Sequence, residues 1–356
     1  MTRPVRLFVV GAGWAGRRFV RAIRHSPLLD LAGICDHDER ALAEHRSLAV
    51  PCHSDLSTAL EQLRPDAVCV CVNESAHHAV LTELARHPAA PELILCEKPL
   101  TENLAQARAV APALAGKRVR VNLVERQSEI VAELRDWMAG RSLDVRRVEF
   151  FWGKCRVEDL RPTMGDATEV VHPLDLVRYL LRLPATAETR VLHAIGTSSD
   201  FSPAAGALPD SLSCQLTMGD VLVIGNSSFL WDERRRRIIL YATDDQPGIL
   251  QIVLSLDEPE WDDDSYWVWR IGTGGERVQV AAGRRRADEH PAAVRGIAKV
   301  CRFLESACAC GDADSVVDLA GALWVQGVLE DLIETADSAG RSAMRLREPF
   351  AASVPG

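Results

Sequence analysis

The chain has 356 residues, 47% of them hydrophobic and 26% charged, with a formal net charge of −9. This is the composition of an ordinary globular protein with enough length for two domains. The acidic balance argues against a general nucleic-acid partner or an anionic membrane surface.

No apolar run approaches the roughly 18 residues of a membrane span, and no signal-like segment precedes the first strand. A cytoplasmic location is therefore expected. The ten cysteines form no framework suited to a small secreted domain. Cys69-Val70-Cys71 and Cys308-Ala309-Cys310 lack the C-x-x-C spacing of a zinc site or redox pair, so reduced structural thiols and no metal are expected. The basic runs Arg234 to Arg237 and Arg284 to Arg286 have acids nearby and read as a solvated strand end or loop.

The first predicted element is the most informative. Val5 to Phe19, VRLFVVGAGWAGRRF, is an apolar strand that breaks into Gly11-Ala12-Gly13-Trp14-Ala15-Gly16 and resumes as an amphipathic helix. In a dinucleotide site Gly11 permits the tight turn, Gly13 lets the backbone approach a pyrophosphate, and Gly16 lets the helix pack on the strand. Amides at the helix start then face the diphosphate. A second apolar run, Leu29 to Cys35, ends at Asp36, where an acid meets the adenosine ribose. His37-Asp38-Glu39 follows with no arginine, which favours NAD over NADP, although NADP remains open.

Ala67 to Val72 and Glu92 to Cys96 read as buried strands of a parallel sheet, with helices at Ser54 to Leu63, His77 to Arg86 and Asn103 to Leu114. Val119 to Leu123 closes this pattern, so the first domain is expected over residues 1–121. Residues 122–356 then form a second domain. Its expected elements are a helix at Ser128 to Gly140, a strand at Val145 to Trp152 and a helix at Glu169 to Leu181. Five strands follow: Thr189 to Ile195, Ser211 to Thr217, Val221 to Phe229, Arg237 to Thr243 and Ile249 to Leu254. Short turns between them imply a largely antiparallel sheet, and Ser198 to Pro209 reads as a loop. Helices Ala292 to Ala307 and Ser315 to Ala339 finish the chain, and the last can pack back on the first domain.

Two clusters carry chemistry. Glu97-Lys98-Pro99 follows a strand at the carboxyl edge, where open parallel sheets bind ligands. Lys98 there can reach a substrate oxygen, and Pro99 fixes the turn, with a cis bond before it as one option. A surface Glu-Lys pair would look the same in isolation. The second cluster is Gly165 to Asp175, in which His172 and Asp175 share a helical face.

The order of glycine turn, Glu-Lys-Pro and a glycine-led helix bearing His-x-x-Asp before an antiparallel sheet resembles the Gfo/Idh/MocA family of NAD(P)-dependent oxidoreductases. The resemblance runs over nearly the whole chain. It includes His78, six residues after the strand ending at Val72, and the closing Asp337-Ser338-Ala339-Gly340. It implies an α/β protein, a Rossmann domain followed by a domain with a large open sheet, acting on sugars, sugar nucleotides, inositols or related small substrates. By the same resemblance Lys98 is the catalytic lysine and His172 the general acid/base; helix spacing offers Asp175, three residues on, or Glu169, three residues before, as its carboxylate partner. Gly11, Gly13, Trp14, Ala15, Gly16, Asp36, Asn73, His78, Glu97 and Lys98 are the implied cofactor-binding set.

Three departures stand out. Asn73-Glu74 replaces the frequent Thr-Pro, Thr168 stands where many members have an aspartate, and Val170 replaces a usual glycine. They point to a pocket unlike that of an ordinary sugar dehydrogenase. They also keep open an imine or other unsaturated-group reductase, or a cofactor-binding regulator without turnover. The segment Trp261 to Trp269 reads as a strand of the sheet covered by a second subunit, or alternatively as an aromatic, acidic wall for a ligand. A homodimer or homotetramer through that sheet is expected.

Overall fold

A computed structural model describes residues 3–161, 163–203, 207–309 and 314–346. Its first part alternates strand and helix: β1 (Val5–Val10), α1 (Trp14–His25), β2 (Leu29–Cys35), α2 (Glu39–Ala43), β3 (Cys52–His53), α3 (Leu56–Leu63), β4 (Ala67–Val70), α4 (Glu74–Arg86), β5 (Leu93–Cys96), α5 (Leu104–Val110) and β6 (Arg118–Val121). All six strands are parallel, in the order β6-β5-β4-β1-β2-β3. This is the arrangement in which ligands lie across the carboxyl ends of the strands. Helices on both faces explain why Val68, Cys69, Ile94 and Leu95 read as unbroken apolar runs, since both sides of these strands are buried.

Helix starts are set by caps. Asp55, Asn73 and Asn103 each accept a backbone N–H of the first turn of α3, α4 and α5. α4 therefore begins at Glu74 rather than His77, and α5 is shorter than its pattern suggests because it gives way to turns before Leu114.

The remaining elements are α6 (Glu129–Ala139), β7 (Asp144–Cys155), α7 (Ala167–Leu180), β8 (Thr189–Ser199), β9 (Leu208–Met218), β10 (Val221–Ser228), β11 (Leu230–Thr243), β12 (Ile249–Ser255), β13 (Asp264–Ile271), β14 (Arg277–Arg285), α8 (Ala298–Cys308), β15 (Val317–Asp318), α9 (Leu319–Ser338) and β16 (Ser342–Met344). Nine strands form one sheet in the order β14-β13-β12-β11-β7-β10-β9-β8-β16. It is antiparallel except for the β10–β7 and β16–β8 pairs. The segment expected as a loop, Ser198 to Pro209, instead contributes its ends to β8 and β9, and residues 204–206 lie outside the described ones.

Helices α6, α7 and α9 cover one face of this sheet, over Val148, Phe150, Trp152, Val223, Ile238, Leu240, Ile252 and Leu254. The other face presents the half-buried row Ile224, Glu149, Ile239, Val253 and Trp267, paired across five neighbouring strands. No helix packs there among the described residues.

The end of the chain returns to the first sheet. α8 packs on α1, with Phe303 edge-on to Phe19 at 6.3 Å between ring centroids. β15 pairs antiparallel with β6, and Asp318, which ends β15, caps α9 through the Gly321 N–H. The pattern Ser315 to Ala339 thus holds a short strand ahead of its helix. α8 begins at Ala298, because residues 292–297 form turns.

Nine described cysteines are free thiols. Burial pushes the Cys35 thiol up to about 12. Cys310 lies outside the described residues. No helix among the described residues is long and apolar enough to cross a membrane.

Candidate active site

The glycine turn has the stereochemistry its spacing predicts. Gly11 has φ +102°, and a Cβ there would lie 2.6 Å from the Cys71 carbonyl. A Cβ on Gly16 would lie 1.9 Å from the Gly11 oxygen. Gly13 differs, since a Cβ there meets nothing within 4 Å. The close approach at Gly13 is therefore to open space, where a diphosphate fits. Gly13 also caps α1, with no side chain occupying the first-turn amides and no acid in that turn. These features fit a bound dinucleotide.

Asp36 stands at the end of β2. Its Oδ2 accepts from the Ala12 N–H at 2.7 Å and its Oδ1 from the Asp38 N–H at 2.9 Å, so it ties the glycine turn to the next loop. Asn73 caps α4, and its amide donates to Glu74 at 3.0 Å. Glu97 accepts from the Asn122 amide at 2.7 Å and from the Lys98 N–H at 3.2 Å. His78 sits on α4 with its Nδ1 buried and unpartnered, and it is not among the residues lining the cleft beside the glycine turn. Its neighbour His77 instead joins the strand-end loops, with Nδ1 2.8 Å from the Pro99 carbonyl and Nε2 3.2 Å from that of Val72.

That cleft, of about 840 Å³, runs from Gly13, Trp14 and Ala15 past Asn73 and Lys98 to Lys154, Thr168, Glu169, Arg234 and Trp261. It lies between the carboxyl ends of the first sheet and the start of α7. The Lys98–Pro99 bond is cis. Lys98 Nζ donates to the Thr168 carbonyl at 2.7 Å and stands 3.6 Å from Glu169. Thr168 spends its hydroxyl on the Gly165 carbonyl at 2.9 Å.

His172 is 5% exposed and stacks on Trp152 at 6.0 Å between ring centroids. Its Nδ1 is buried without a hydrogen-bond partner. Burial holds its imidazolium well below the usual histidine range, and repulsion from Lys98, Arg236 and Lys154 adds to this against the attraction of Glu169. Neither expected carboxylate orients it. Asp175 accepts a two-pronged pair from Arg126, at 2.7 Å from Nε and 2.6 Å from Nη2. Glu169 accepts from Lys154 at 2.9 Å and from Arg236 at 3.3 Å. Burial alone would raise the Glu169 carboxyl, but Lys154, Lys98 and Arg236 outweigh it and hold the group well below the usual range.

Two residues here follow from strand alternation: Lys154, just past the strand expected at Val145 to Trp152, and Arg236, within the run read as a solvated strand end. Lys154 is in phase with Val148, Phe150 and Trp152 on the inner face of β7. Its ammonium is pushed down to about 8 by burial, with Arg236 and Lys98 adding and Glu169 opposing. Arg236 is in phase with Ile238, Leu240 and Ala242 and is 3% exposed, so it is a core ion rather than part of a solvated strand end. It binds Glu125 at 2.8 Å and Asp257 at 2.6 Å. Lys299 completes this buried cluster, 2.8 Å from Glu125, 2.9 Å from Asp257 and 3.0 Å from Asp264.

In the Trp261 to Trp269 segment, Asp262 accepts from the Gly296 N–H, Asp263 from Ala287 and Asp264 from Asp257. These acids close loops instead of forming a ligand wall. Trp267 and Trp269 lie on β13, while Trp261 lines the cleft.

Comparison with known proteins agrees with this architecture. Residues 5–124 match the family described as oxidoreductases with an NAD-binding Rossmann fold, Gfo/Idh/MocA. Sequence comparison with curated proteins gives no match. Among solved structures, the transcriptional regulator Gal80p from Kluyveromyces lactis superposes with a TM-score of 0.74 at 13% identity, over 95% of this chain and 90% of that one. UDP-N-acetylglucosamine 3-dehydrogenase from Acidithiobacillus ferrooxidans gives 0.68 at 18%, over 95% and 99%. An oxidoreductase from Agrobacterium radiobacter, solved with NAD+, L-tartaric acid and magnesium, gives 0.69 at 15%, over 95% and 97%. At these identities the likeness is one of fold.

Proposed function

We propose, for a chain whose residues 5–124 belong to the Gfo/Idh/MocA oxidoreductase family with its NAD-binding Rossmann fold, a nicotinamide-dependent oxidoreductase. It interconverts a carbonyl and a hydroxyl carbon on a small polar substrate. The observation that carries this reading is the position of Lys98, at the end of β5 in the cleft that opens beside Gly13, with its ammonium turned toward the start of α7.

The residues suited to the cofactor are Gly11, Gly13, Trp14, Ala15 and Gly16 at the diphosphate, Asp36 at the adenosine ribose, and Asn73, Glu97 and Lys98 toward the nicotinamide. When bound, the cofactor supplies or accepts the hydride. In the reducing direction Lys98 hydrogen-bonds the carbonyl oxygen and gives it a proton as negative charge develops, and in the oxidising direction it takes that proton back. His172 lies behind the residues that line the cleft, and its part in the reaction is that of a neutral imidazole, since its surroundings disfavour the charged form. Turnover in a screen of sugars, sugar acids and sugar nucleotides with NAD+ tests the reading; no turnover with any of them counts against it.

A cofactor-binding regulator without turnover is the second reading. It is favoured by the unpartnered His172 and the sequestered Asp175, and a regulator stands among the structural neighbours.

Two consequences are measurable without a substrate. Asp36, followed by Asp38 and Glu39, repels a 2′-phosphate. NADH is therefore expected to bind more tightly than NADPH in a fluorescence titration, and the reverse order removes this role of Asp36. The half-buried face with Ile224, Ile239, Val253 and Trp267 is expected to be covered by a second copy, giving a homodimer or a dimer of dimers. A monomer by light scattering at micromolar concentration contradicts that.

A further inference from the structure

The protein is acidic overall, yet the inner wall of the cleft is not. Lys98, Lys154, Arg156 and Arg234 line it against one inner carboxylate, Glu169, with Arg161 at the exposed edge. Asp232 and Glu233 also line it, but they are largely exposed at the rim and pair with Arg235. Glu74, near the glycine turn, accepts from Asn73. Arg156 and Arg161 share Asp159, each at 3.0 Å through Nε.

Arg234 stands apart. Its guanidinium lies on Trp261, with Cζ 4.0 Å from the ring centroid. Its Nε is buried with no hydrogen-bond partner, and its Nη1 reaches only the Asp257 carbonyl oxygen, at 3.5 Å. Among the described residues it makes no ion pair. Burial and the nearby Arg236 both work against its charge. A partly buried guanidinium with an unfilled donor is costly unless something completes it. Trp261 holds its plane, as stacking holds guanidinium groups at binding sites.

Arg234 is also continuous with the proton-transfer residues. Trp261 has Arg236 Cζ 4.9 Å from its centroid, Arg236 meets Glu169 at 3.3 Å, and Glu169 meets Lys154 and Lys98.

We propose that Arg234, held on Trp261, is a subsite for an anionic group of the substrate, a carboxylate or phosphate. This rests on the oxidoreductase reading and narrows it from small polar substrates to acidic ones. A planar guanidinium meets either group with paired hydrogen bonds. The cofactor diphosphate offers the same chemistry and is the competing source, since Trp14 of the glycine turn lines the same cleft.

The test is calorimetric titration of the full chain, first with NADH and then, saturated with NAD+, with 6-phosphogluconate and with glucose. The wild type is expected to bind 6-phosphogluconate and to bind glucose at least about tenfold more weakly. R234Q should lose about 10–100-fold in affinity for 6-phosphogluconate while its NADH affinity stays within about threefold. R234K, which keeps the charge but loses the fork, should fall between, and carries the comparison if R234Q does not fold. Equal affinities for 6-phosphogluconate and glucose overturn the subsite, as does an unchanged affinity in R234Q. If R234Q instead loses NADH as steeply as 6-phosphogluconate, with an unaltered thermal midpoint, Arg234 serves the cofactor and the proposal is also overturned. Failure of the wild type to bind NADH is a different result, which removes the oxidoreductase reading itself.

Discussion

Replacing Lys98 by alanine is expected to lower turnover by roughly 10²–10⁴-fold, the range that a positioned proton donor supplies. Affinity for NADH should change little, because the diphosphate cradle is built from backbone at Gly13 and the first turn of α1. The lysine is held by the Thr168 carbonyl at 2.7 Å, with Glu169 as a longer ion partner at 3.6 Å. Glu169 keeps Lys154 at 2.9 Å and Arg236 at 3.3 Å when Lys98 is removed, so the loss should appear in rate more than in stability.

H172A is expected to cost less. The imidazole has no hydrogen-bonded carboxylate to raise its basicity, and Lys98, Lys154 and Arg236 all oppose its protonation. With the true substrate, near wild-type turnover from both variants would leave only the fold. A chain that never turns over yet binds NADH identically in wild type and K98A would be a regulator.

The Rossmann half was legible because its signals are local. A strand, a turn whose glycines each meet a steric demand, and an acid at the next strand end all lie within residues 5–36. The lysine after β5 was legible for the same reason, since the strand order fixes where its end points. The site beyond it depends on contacts between distant segments. Asp175 is three residues from His172, but Arg126, 49 residues earlier in the chain, captures it. The spacing placed the two on one helix and said nothing of that competitor. His77 rather than His78 faces the strand-end carbonyls, and a one-residue difference on a helix is a turn of about 100°.

Lys154 and Arg236 are a different kind of omission. Each continues an inward alternation of apolar residues, so the strand period already placed them inside. The basic run suggested solvent for Arg236, the strand expected at Val145 to Trp152 stopped short of Lys154, and pairing with Glu169, Glu125 and Asp257 made burial possible. β14 was missed although Val278 and Val280 alternate with Arg277 and Gln279; it is an edge strand, and both valines face solvent rather than the core.

The largest stability effect is expected from Lys299→Met. Lys299 lies on α8, which packs on the first domain. It binds Glu125 after β6 and Asp257 and Asp264 beside the second sheet. Burial works against its charge, but Asp257, Asp264 and Glu125 outweigh that and hold the ammonium well above its ordinary range. Methionine fills a similar volume, so little of the loss would come from a cavity. What remains is three buried carboxylates, of which Arg236 pairs with Glu125 and Asp257 but not with Asp264, and breaking such a cluster by removing one partner costs about 3–5 kcal/mol.

The pH dependence distinguishes this cause from a packing defect. Burial and the neighbouring Asp257 and Asp264 already hold the Glu125 carboxyl above its ordinary range against Lys299 and Arg236, so removing Lys299 raises it further above its unfolded value near 4. The folded protein then binds more protons than the unfolded one at intermediate pH, so its stability recovers as pH falls through the raised value. Urea denaturation should therefore show a larger deficit for K299M at pH 8 than at pH 5, and adding D264N should restore part of it at pH 8. A deficit below about 1 kcal/mol, or one that is the same at both pH values, would mean that the cluster does not hold the two sheets together through charge.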